Sequence, residues 1–199
     1  VQSAAGAQRL TSVDEADTKD LLTGIANRTG LEVGLAQLWQ KDGHHVRQLC
    51  VGMIDIDQFA RVNERHGHKV GDRVLRAVAQ LLTGEGRRNN VTARFSGQRF
   101  LVLLPEADIR FTTNTIERIR QTIEMAHFQH QDSDIRITVS GAVTEATSQD
   151  TSETLFGRTE ATLLEAKRYG RNRTFLHEGK FPTPVVPPNF TLEEKSILI

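Results

Sequence analysis

The chain has 199 residues, of which 38% are hydrophobic and 25% are charged, and its 25 basic side chains are balanced by 25 acidic ones. These values predict one well-buried domain with extensions, make a nucleic-acid partner unexpected, and leave no apolar run near the roughly 20 residues of a membrane span. A single cysteine, Cys50, stands inside an apolar run, which excludes a disulfide framework and predicts a core residue of a cytoplasmic protein.

The first quarter of the chain predicts a linker, a helix and a strand. Residues 1–17 are polar and alanine-rich without a sustained hydrophobic period, as in a linker or the end of an incoming helix. A helix is predicted over 29–40, where leucines recur along one side, and a strand over 45–57. That strand ends in Asp55 and Asp57, and such carboxylates either hold a divalent cation or end the strand and cap the next helix.

The middle of the chain predicts a helix followed by a β-hairpin. The helix covers 72–82, with its apolar side chains on one face, and glycines at 84–86 stop it. Two β-rich runs then meet across the polar turn 96–99. Residues 101–104 are apolar without alternation, which is typical of a strand covered on both faces, and Pro105 ends that strand.

The last part of the chain predicts two further helices and two strands, at 109–128 (helix), 134–144 (strand), 151–167 (helix) and 173–177 (strand). Four of the five prolines fall within 181–188, so residues 178–199 are predicted to form a tail outside the core. The order of elements excludes a doubly wound parallel sheet, because the hairpin is antiparallel. It predicts an α+β fold with a mixed five-stranded sheet, a central antiparallel hairpin and flanking helices.

Four separated motifs carry a resemblance to a known family. They are Asp20-Leu-Leu-Thr-Gly-Ile-Ala-Asn-Arg28, the run from Asp55 to Leu75, the hairpin from Thr92 to Pro105, and Lys167-Arg-Tyr-Gly-Arg-Asn-Arg173. Together they resemble the GGDEF family, the diguanylate cyclases, over residues 18–177. The resemblance implies the ferredoxin-like sheet of nucleotidyl cyclases and polymerase palms.

The resemblance also implies roles for single residues. Asp55 corresponds to the metal-binding aspartate, and Asn63 and Asp72 correspond to the pair that hydrogen-bonds the guanine of GTP. An amide and a carboxylate can together read the O6 acceptor and the N1 and N2 donors of guanine. Lys167 and Arg171 match residues that contact the phosphates, although cations at a helix C-terminus are also favoured by the helix dipole alone.

The signature turn departs from the family. The family has Gly-Gly-Asp/Glu-Glu-Phe, whereas this chain has Ser-Gly-Gln98-Arg99-Phe, and Ala60 replaces a lysine that stands beside the triphosphate. A charge on Arg99 within ~4 Å of a divalent ion would cost roughly 8 kcal/mol at an effective dielectric of about 20. Gln98 offers one neutral oxygen where a hard cation prefers carboxylate. These changes predict that no catalytic residue set is intact, that Asp55 is a vestigial metal ligand, and that no cofactor is needed unless an active cyclase binds Mg²⁺.

A product-binding inhibitory site is a further implication of the resemblance. In the family an Arg-x-x-Asp before the turn binds cyclic di-GMP, and a second arginine assists. Here Arg87 and Arg118 match the arginines, but Asn90 stands in place of the aspartate. Its amide oxygen can accept one weaker hydrogen bond. A solvated turn is an equally good interpretation of this segment.

The function hypothesis is a catalytically degenerate GGDEF domain that regulates cyclic di-GMP signalling by binding a guanine nucleotide or a protein partner, including a neighbouring domain. The nucleotide is expected to be GTP or GDP, held weakly and without metal, with Arg99 against a phosphate.

Three alternatives stay open: an active cyclase, a cyclic di-GMP receptor that uses Arg87 and Arg118, and a purely structural module. The family's reaction joins two GTP molecules held on the two subunits of a dimer, so a homodimer is an option. The family resemblance alone does not decide among these alternatives, because one fold supports several functions.

Overall fold

The predicted helices and strands occur in the predicted order, and further short strands are added to them. The computed structural model describes residues 15–41, 48–85 and 89–199, and a short 3-10 turn at Glu15–Thr18 precedes the first helix. The helices are α1 (Arg28–Lys41), α2 (Phe59–His66), α3 (His68–Gly84), α4 (Ile109–Met125) and α5 (Ser152–Arg168). The strands are β1 (Leu49–Ile56), β2 (Val91–Ser96), β3 (Arg99–Pro105), β4 (His127–His130), β5 (Ser133–Ile135), β6 (Val139–Glu145), β7 (Thr174–His177), β8 (Pro182–Pro184) and β9 (Ser196–Leu198).

The main sheet has six strands in the order β2-β3-β1-β6-β7-β8. Its neighbouring strands are antiparallel except for β6 and β7, which run parallel. The predicted hairpin is present as β2 and β3. The mixed sheet with flanking helices confirms the predicted fold class, but the sheet has six strands where five were predicted, and the hairpin lies at one edge of it and not at its centre.

Strand β1 lies near the middle of the sheet, and all eight of its residues are buried. Because side chains alternate across a strand, its residues divide between two cores. Ile54 and Ile56 join the cluster that contains side chains of α2, α3 and α4, whereas Val51 and Met53 join the cluster that contains side chains of α1 and α5. Asp55 follows Val51 and Met53 at the same spacing of two, so its side chain lies on the face of the sheet that α1 and α5 cover.

Cys50 is buried in β1, as predicted, and burial raises the pKa of its thiol to about 12. The thiolate is therefore not populated near neutral pH, and Cys50 serves as a small core side chain. Among the residues that the structure describes, none of the helices has the length and apolarity needed to cross a bilayer.

The segment 178–199 differs from the prediction, because it returns to the domain instead of standing outside the core. Strand β8 extends the main sheet beside β7, and β9 pairs with β4 in a second sheet of three strands, β5-β4-β9. Ile197 and Ile199 pack against the core. Prolines are tolerated in an edge strand such as β8, so the proline content did not exclude pairing.

The predicted boundaries also shift around the second sheet. The helix predicted over 109–128 ends at Met125, and the strand predicted over 134–144 is two strands, β5 and β6. The β4–β5 turn contains Gln131 with a φ of 51°, a left-handed conformation. Glycine or asparagine is more common in this conformation, so the sequence did not indicate a turn here. Residues 1–14 of the predicted linker and the start of the strand predicted from 45 lie outside the described residues.

Candidate active site

The end of β1 brings Asp55 to the centre of an ion-pair cluster. Asp55 is 2% exposed and stands directly opposite Arg99 of β3 in the sheet register. Its Oδ2 lies 3.3 Å from Arg99 Nε and 2.8 Å from Lys167 Nζ of α5. Arg99 also pairs with Glu160 of α5. We call these four residues, Asp55, Arg99, Glu160 and Lys167, the Asp55 cluster.

The Asp55 cluster has no net formal charge, because its two carboxylates face two cations. Asp55 Oδ1 is buried and accepts no hydrogen bond from the described residues. Gln98 contributes its backbone carbonyl to the sheet, where it accepts a hydrogen bond from Ile56 N at 3.2 Å. Both carboxylates of the cluster are thus already paired with cations, and Asp55 Oδ2 has two of them.

This arrangement does not fit a divalent cation. A magnesium or manganese ion in such a site is held by one or two carboxylates together with phosphate and water oxygens. Here the first carboxylate is neutralised by Arg99 and Lys167, and a guanidinium stands where the family has a second carboxylate. Within the described ranges, no group of three or more His, Cys, Asp or Glu side chains is arranged to hold a metal.

Asp57, two residues further on, has a different environment. Its Oδ2 accepts hydrogen bonds from Thr138 Oγ1 at 2.8 Å and from the backbone N–H of Asn172 at 3.0 Å, and its Oδ1 accepts one from Ser140 Oγ at 2.7 Å. It makes no side-chain cap for α2, whose N-cap is Gln58. Asp57 therefore fastens the end of β1 to β6 and to the loop after α5.

The two residues predicted to read guanine lie on neighbouring helices. Asn63 is on α2 and Asp72 is on α3, and both side chains are half-buried. The Oδ1 of Asn63 lies so close to Gly71 that a Cβ there would approach it to 1.9 Å. Asn63 thus packs against Gly71, the residue that precedes Asp72 on α3. Ala60 is exposed on the same helix α2.

The two cations predicted to contact phosphates, Lys167 and Arg171, have different surroundings. Lys167 belongs to the Asp55 cluster, where its side chain is 24% exposed. Arg171 is exposed in the loop after α5, with a φ of 64°, and the flanking Gly170 and Asn172 also have positive φ. This loop is held by Asn172 and leaves the Arg171 side chain at the surface.

Asn172 joins the loop to a buried ion network that the sequence interpretation missed. Its Oδ1 accepts a hydrogen bond from Arg120 Nη1 at 2.7 Å, and its Nδ2 donates one to Glu124 at 2.6 Å. Burial alone would lower the pKa of Arg120, but hydrogen bonds and charges from Glu117 and Glu124 raise it above its ordinary value. The i, i+3 spacing of Glu117 and Arg120 was a signal for this pair. Asn172 stands in the closing motif, but its contacts, like those of Glu160, depend on tertiary packing and had no local signal.

The predicted product site is only partly described. Arg87 lies outside the described residues. Asn90 is half-buried immediately before β2, and Arg118 pairs with Glu85 Oε2 at 2.7 Å. The charge of Arg118 is therefore already engaged by a carboxylate of the domain.

Comparison with known proteins finds a family model and curated relatives that match most of the chain. The family model for the diguanylate cyclase GGDEF domain matches residues 17–173. Diguanylate cyclase DgcP of Pseudomonas aeruginosa is 34% identical over 154 residues, which are 77% of this chain and 23% of DgcP. Diguanylate cyclase DgcZ of Escherichia coli is 30% identical over 159 residues, which are 77% of this chain and 51% of DgcZ. The chain thus spans about a quarter to a half of the length of these curated relatives.

Solved structures give the same match. Diguanylate cyclase SiaD of Pseudomonas aeruginosa, in complex with its activator SiaC, superposes with a TM-score of 0.77 at 30% identity, covering 87% of this chain and 67% of SiaD. The coiled coil and GGDEF domain of DgcB from Caulobacter crescentus, in complex with c-di-GMP, gives a TM-score of 0.74 at 28% identity, covering 88% of this chain and 95% of that one.

Proposed function

Because the chain belongs to the GGDEF family of diguanylate cyclases, we propose that it is a regulatory domain of cyclic di-GMP signalling that has lost cyclase activity. It acts by binding a guanine nucleotide or a protein partner. The observation that carries this proposal is the pairing of Asp55 Oδ2 with both Arg99 and Lys167. These two cations neutralise the carboxylate on which a metal would depend.

Loss of the metal accounts for loss of the reaction. In the family the metal neutralises the phosphates and lowers the pKa of the attacking 3′-hydroxyl. Arg99 and Lys167 can neutralise phosphate charge, but neither can bind a hydroxyl oxygen as a Lewis acid does. Gln98 is a neutral amide and cannot serve as a general base.

The guanine end of the pocket supports nucleotide binding without turnover. Asn63 and Asp72 keep the functional groups that read guanine, and no described side chain pairs with the Asp72 carboxylate. The side chains of Arg99 and Lys167 are 28% and 24% exposed, so a phosphate can compete with Asp55 and Glu160 for them. That competition makes the binding weak and independent of metal.

A turnover assay tests the loss of activity. The chain is incubated with GTP and either Mg²⁺ or Mn²⁺, with DgcZ assayed in parallel as the active control. We expect no cyclic di-GMP from this chain. Product at a rate comparable to that of DgcZ would mean that other groups hold the metal and that the domain is an active cyclase.

A calorimetric panel tests the binding. GTP, GDP, ATP and cyclic di-GMP are titrated with and without Mg²⁺, into the wild type and Asp72→Ala. We expect guanine nucleotides to bind more tightly than ATP, without a need for Mg²⁺, and Asp72→Ala to remove this preference. Asp132→Ala, at the exposed β4–β5 turn, is the matched control and should keep it. Failure of GTP and GDP to bind at millimolar concentration, or a requirement for Mg²⁺, contradicts nucleotide binding and leaves the protein-partner role.

A further inference from the structure

A cavity beside α2 is lined by none of the four residues of the Asp55 cluster. It has a volume of about 600 Å³ and opens between α2 and the segment that joins β5 to β6. None of the residues predicted to contact the nucleotide lines it. Sites for small organic ligands commonly have volumes of roughly 300–1,000 Å³. The cavity is therefore large enough for a ligand of its own.

Three arginines converge on this cavity, Arg61 and Arg65 from α2 and Arg136 from the opposite wall. Arg61 and Arg65 are one helical turn apart, and like charges at this spacing destabilise a helix unless an anion stands between them. Within the described residues, no carboxylate pairs with any of the three. Arg61 donates only to the amide oxygen of Gln58, at 2.6 Å, and Arg136 lies against the ring of His127.

The carboxylates that line the same cavity are already engaged elsewhere. Asp57 accepts its three hydrogen bonds from β6, from Thr138 and from the loop after α5. Glu124 accepts from Arg120 at 2.8 Å and from Asn172 at 2.6 Å. Asp134 lies 2.8 Å from His127 Nδ1. The acidic groups are thus committed to the protein, whereas the guanidinium groups retain donors for a ligand.

The floor of the cavity is apolar. Val62 of α2, with Ile135 and Ile137 from the opposite wall, line it, and all three are buried in the core on their other side. Such a floor accommodates a ring or a short hydrocarbon chain, while the guanidinium forks match the oxygens of a phosphate. We infer that this cavity binds a small organic phosphate ester, with its phosphate against Arg61, Arg65 and Arg136.

Calorimetry with phenyl phosphate, inorganic phosphate and phenol tests the site in the intact chain. We expect phenyl phosphate to bind more tightly than either of the others, because only it uses both the arginines and the floor. Arg61→Ala/Arg65→Ala should weaken phenyl phosphate by roughly ten-fold or more, the effect of losing charge-assisted hydrogen bonds. Arg110→Ala/Arg168→Ala removes two exposed arginines from other helices and should leave the affinity unchanged.

Asp72→Ala separates this site from the guanine pocket and should not change phenyl phosphate binding. Methyl NMR spectra of the wild type provide a test that depends on no variant, and Val62, Ile135 and Ile137 should shift on titration. The inference is overturned if phenyl phosphate does not bind at millimolar concentration, if the control pair weakens it equally, or if the shifts instead appear at Val74 and Leu163, on the helices that carry Asp72 and Lys167. None of these outcomes bears on the proposed loss of cyclase activity.

Discussion

Asp55, near the end of β1, and Asp57, just after it, are two residues apart, but the groups around their carboxylates differ. Asp57 accepts three hydrogen bonds from neutral donors, two side chains near β6 and one backbone N–H. Asp55 instead faces two cations on long side chains and leaves Oδ1 without a partner among the described residues. The Asp57 carboxylate is thus held by neutral hydrogen-bond donors, whereas the Asp55 carboxylate is neutralised by the charges of two long side chains.

This difference is consistent with the proposed loss of cyclase activity in a domain that keeps its fold. The partners of Asp57 belong to β6 and the loop after α5, so they are in place whatever the sequence of the signature turn. The partners of Asp55 include Arg99, which is itself a departure from the family at that turn. Changes at Gln98 and Arg99 therefore act on the region around Asp55, where two cations pair with the carboxylate.

The largest effect on stability is expected from removing the carboxylate of Asp57. Asp57→Ala leaves the hydroxyls of Thr138 and Ser140 and the N–H of Asn172 without their acceptor in a region that is largely buried. We expect the free energy of unfolding to fall by roughly 3 kcal/mol, measured by urea denaturation. Asp57→Asn should cost less, because its amide oxygen still accepts. A loss below about 1 kcal/mol for Asp57→Ala would show that water replaces the carboxylate without difficulty.

A smaller effect on stability is expected from changing Arg99, a partner of the Asp55 carboxylate. Arg99→Glu removes one cation and adds a carboxylate beside Asp55 and Glu160, which should lower the free energy of unfolding by about 1–2 kcal/mol without metal. Added Mn²⁺ should then raise the thermal midpoint of this variant and not that of the wild type, because only the folded variant offers a carboxylate site. Arg99→Gln serves as the control, since it removes the cation without adding a ligand. Equal effects of Mn²⁺ on all three proteins would contradict this account.

Much of the fold could be predicted because its signals are local. The unbroken apolar run of β3, the helical periods and the hairpin turn each follow from spacing within one segment. The β4–β5 hairpin was missed because its turn uses Gln131 at positive φ, where no glycine or asparagine marks it. The pairing of β8 and β9 depends on free edges elsewhere in the chain, which no local pattern reveals.

The site could be predicted only in part, because some of its contacts have a local motif and others depend on tertiary packing. The motif placed Arg99 beside Asp55, and the register confirms that the two face each other across β1 and β3. Lys167, which the motif places at a phosphate, lies 2.8 Å from Asp55 Oδ2, a contact between α5 and β1 that no local pattern predicts. Glu160 was not foreseen, because its distance from β3 is set only by how α5 packs on the sheet.

The smallest effect on stability is expected at a third aspartate, Asp20, whose carboxylate has both neutral hydrogen-bond donors and a cation as partners. It accepts hydrogen bonds from the N–H and hydroxyl of Thr23 at 2.9 and 2.6 Å and pairs with Arg94 of β2 at 3.2 Å. Burial would raise the pKa of Asp20, but the hydrogen bonds from Thr23 and the charge of Arg94 outweigh it and hold the pKa below its ordinary value of 3.8. A carboxyl with a lowered pKa stabilises the folded state above its unfolded pKa, and this contribution is lost as the pH falls through the folded value.

Asp20→Asn should therefore lower the free energy of unfolding by about 1 kcal/mol near neutral pH, and its difference from the wild type should shrink as the pH falls below about 4. Urea denaturation at a series of pH values measures this difference, in which the other carboxylates cancel because both proteins contain them. Asp132→Asn, an exposed aspartate, should show no such difference at any pH. A difference for Asp20→Asn that stays constant down to low pH would mean that the shape of the side chain, rather than its charge, holds the Asp20 loop to β2.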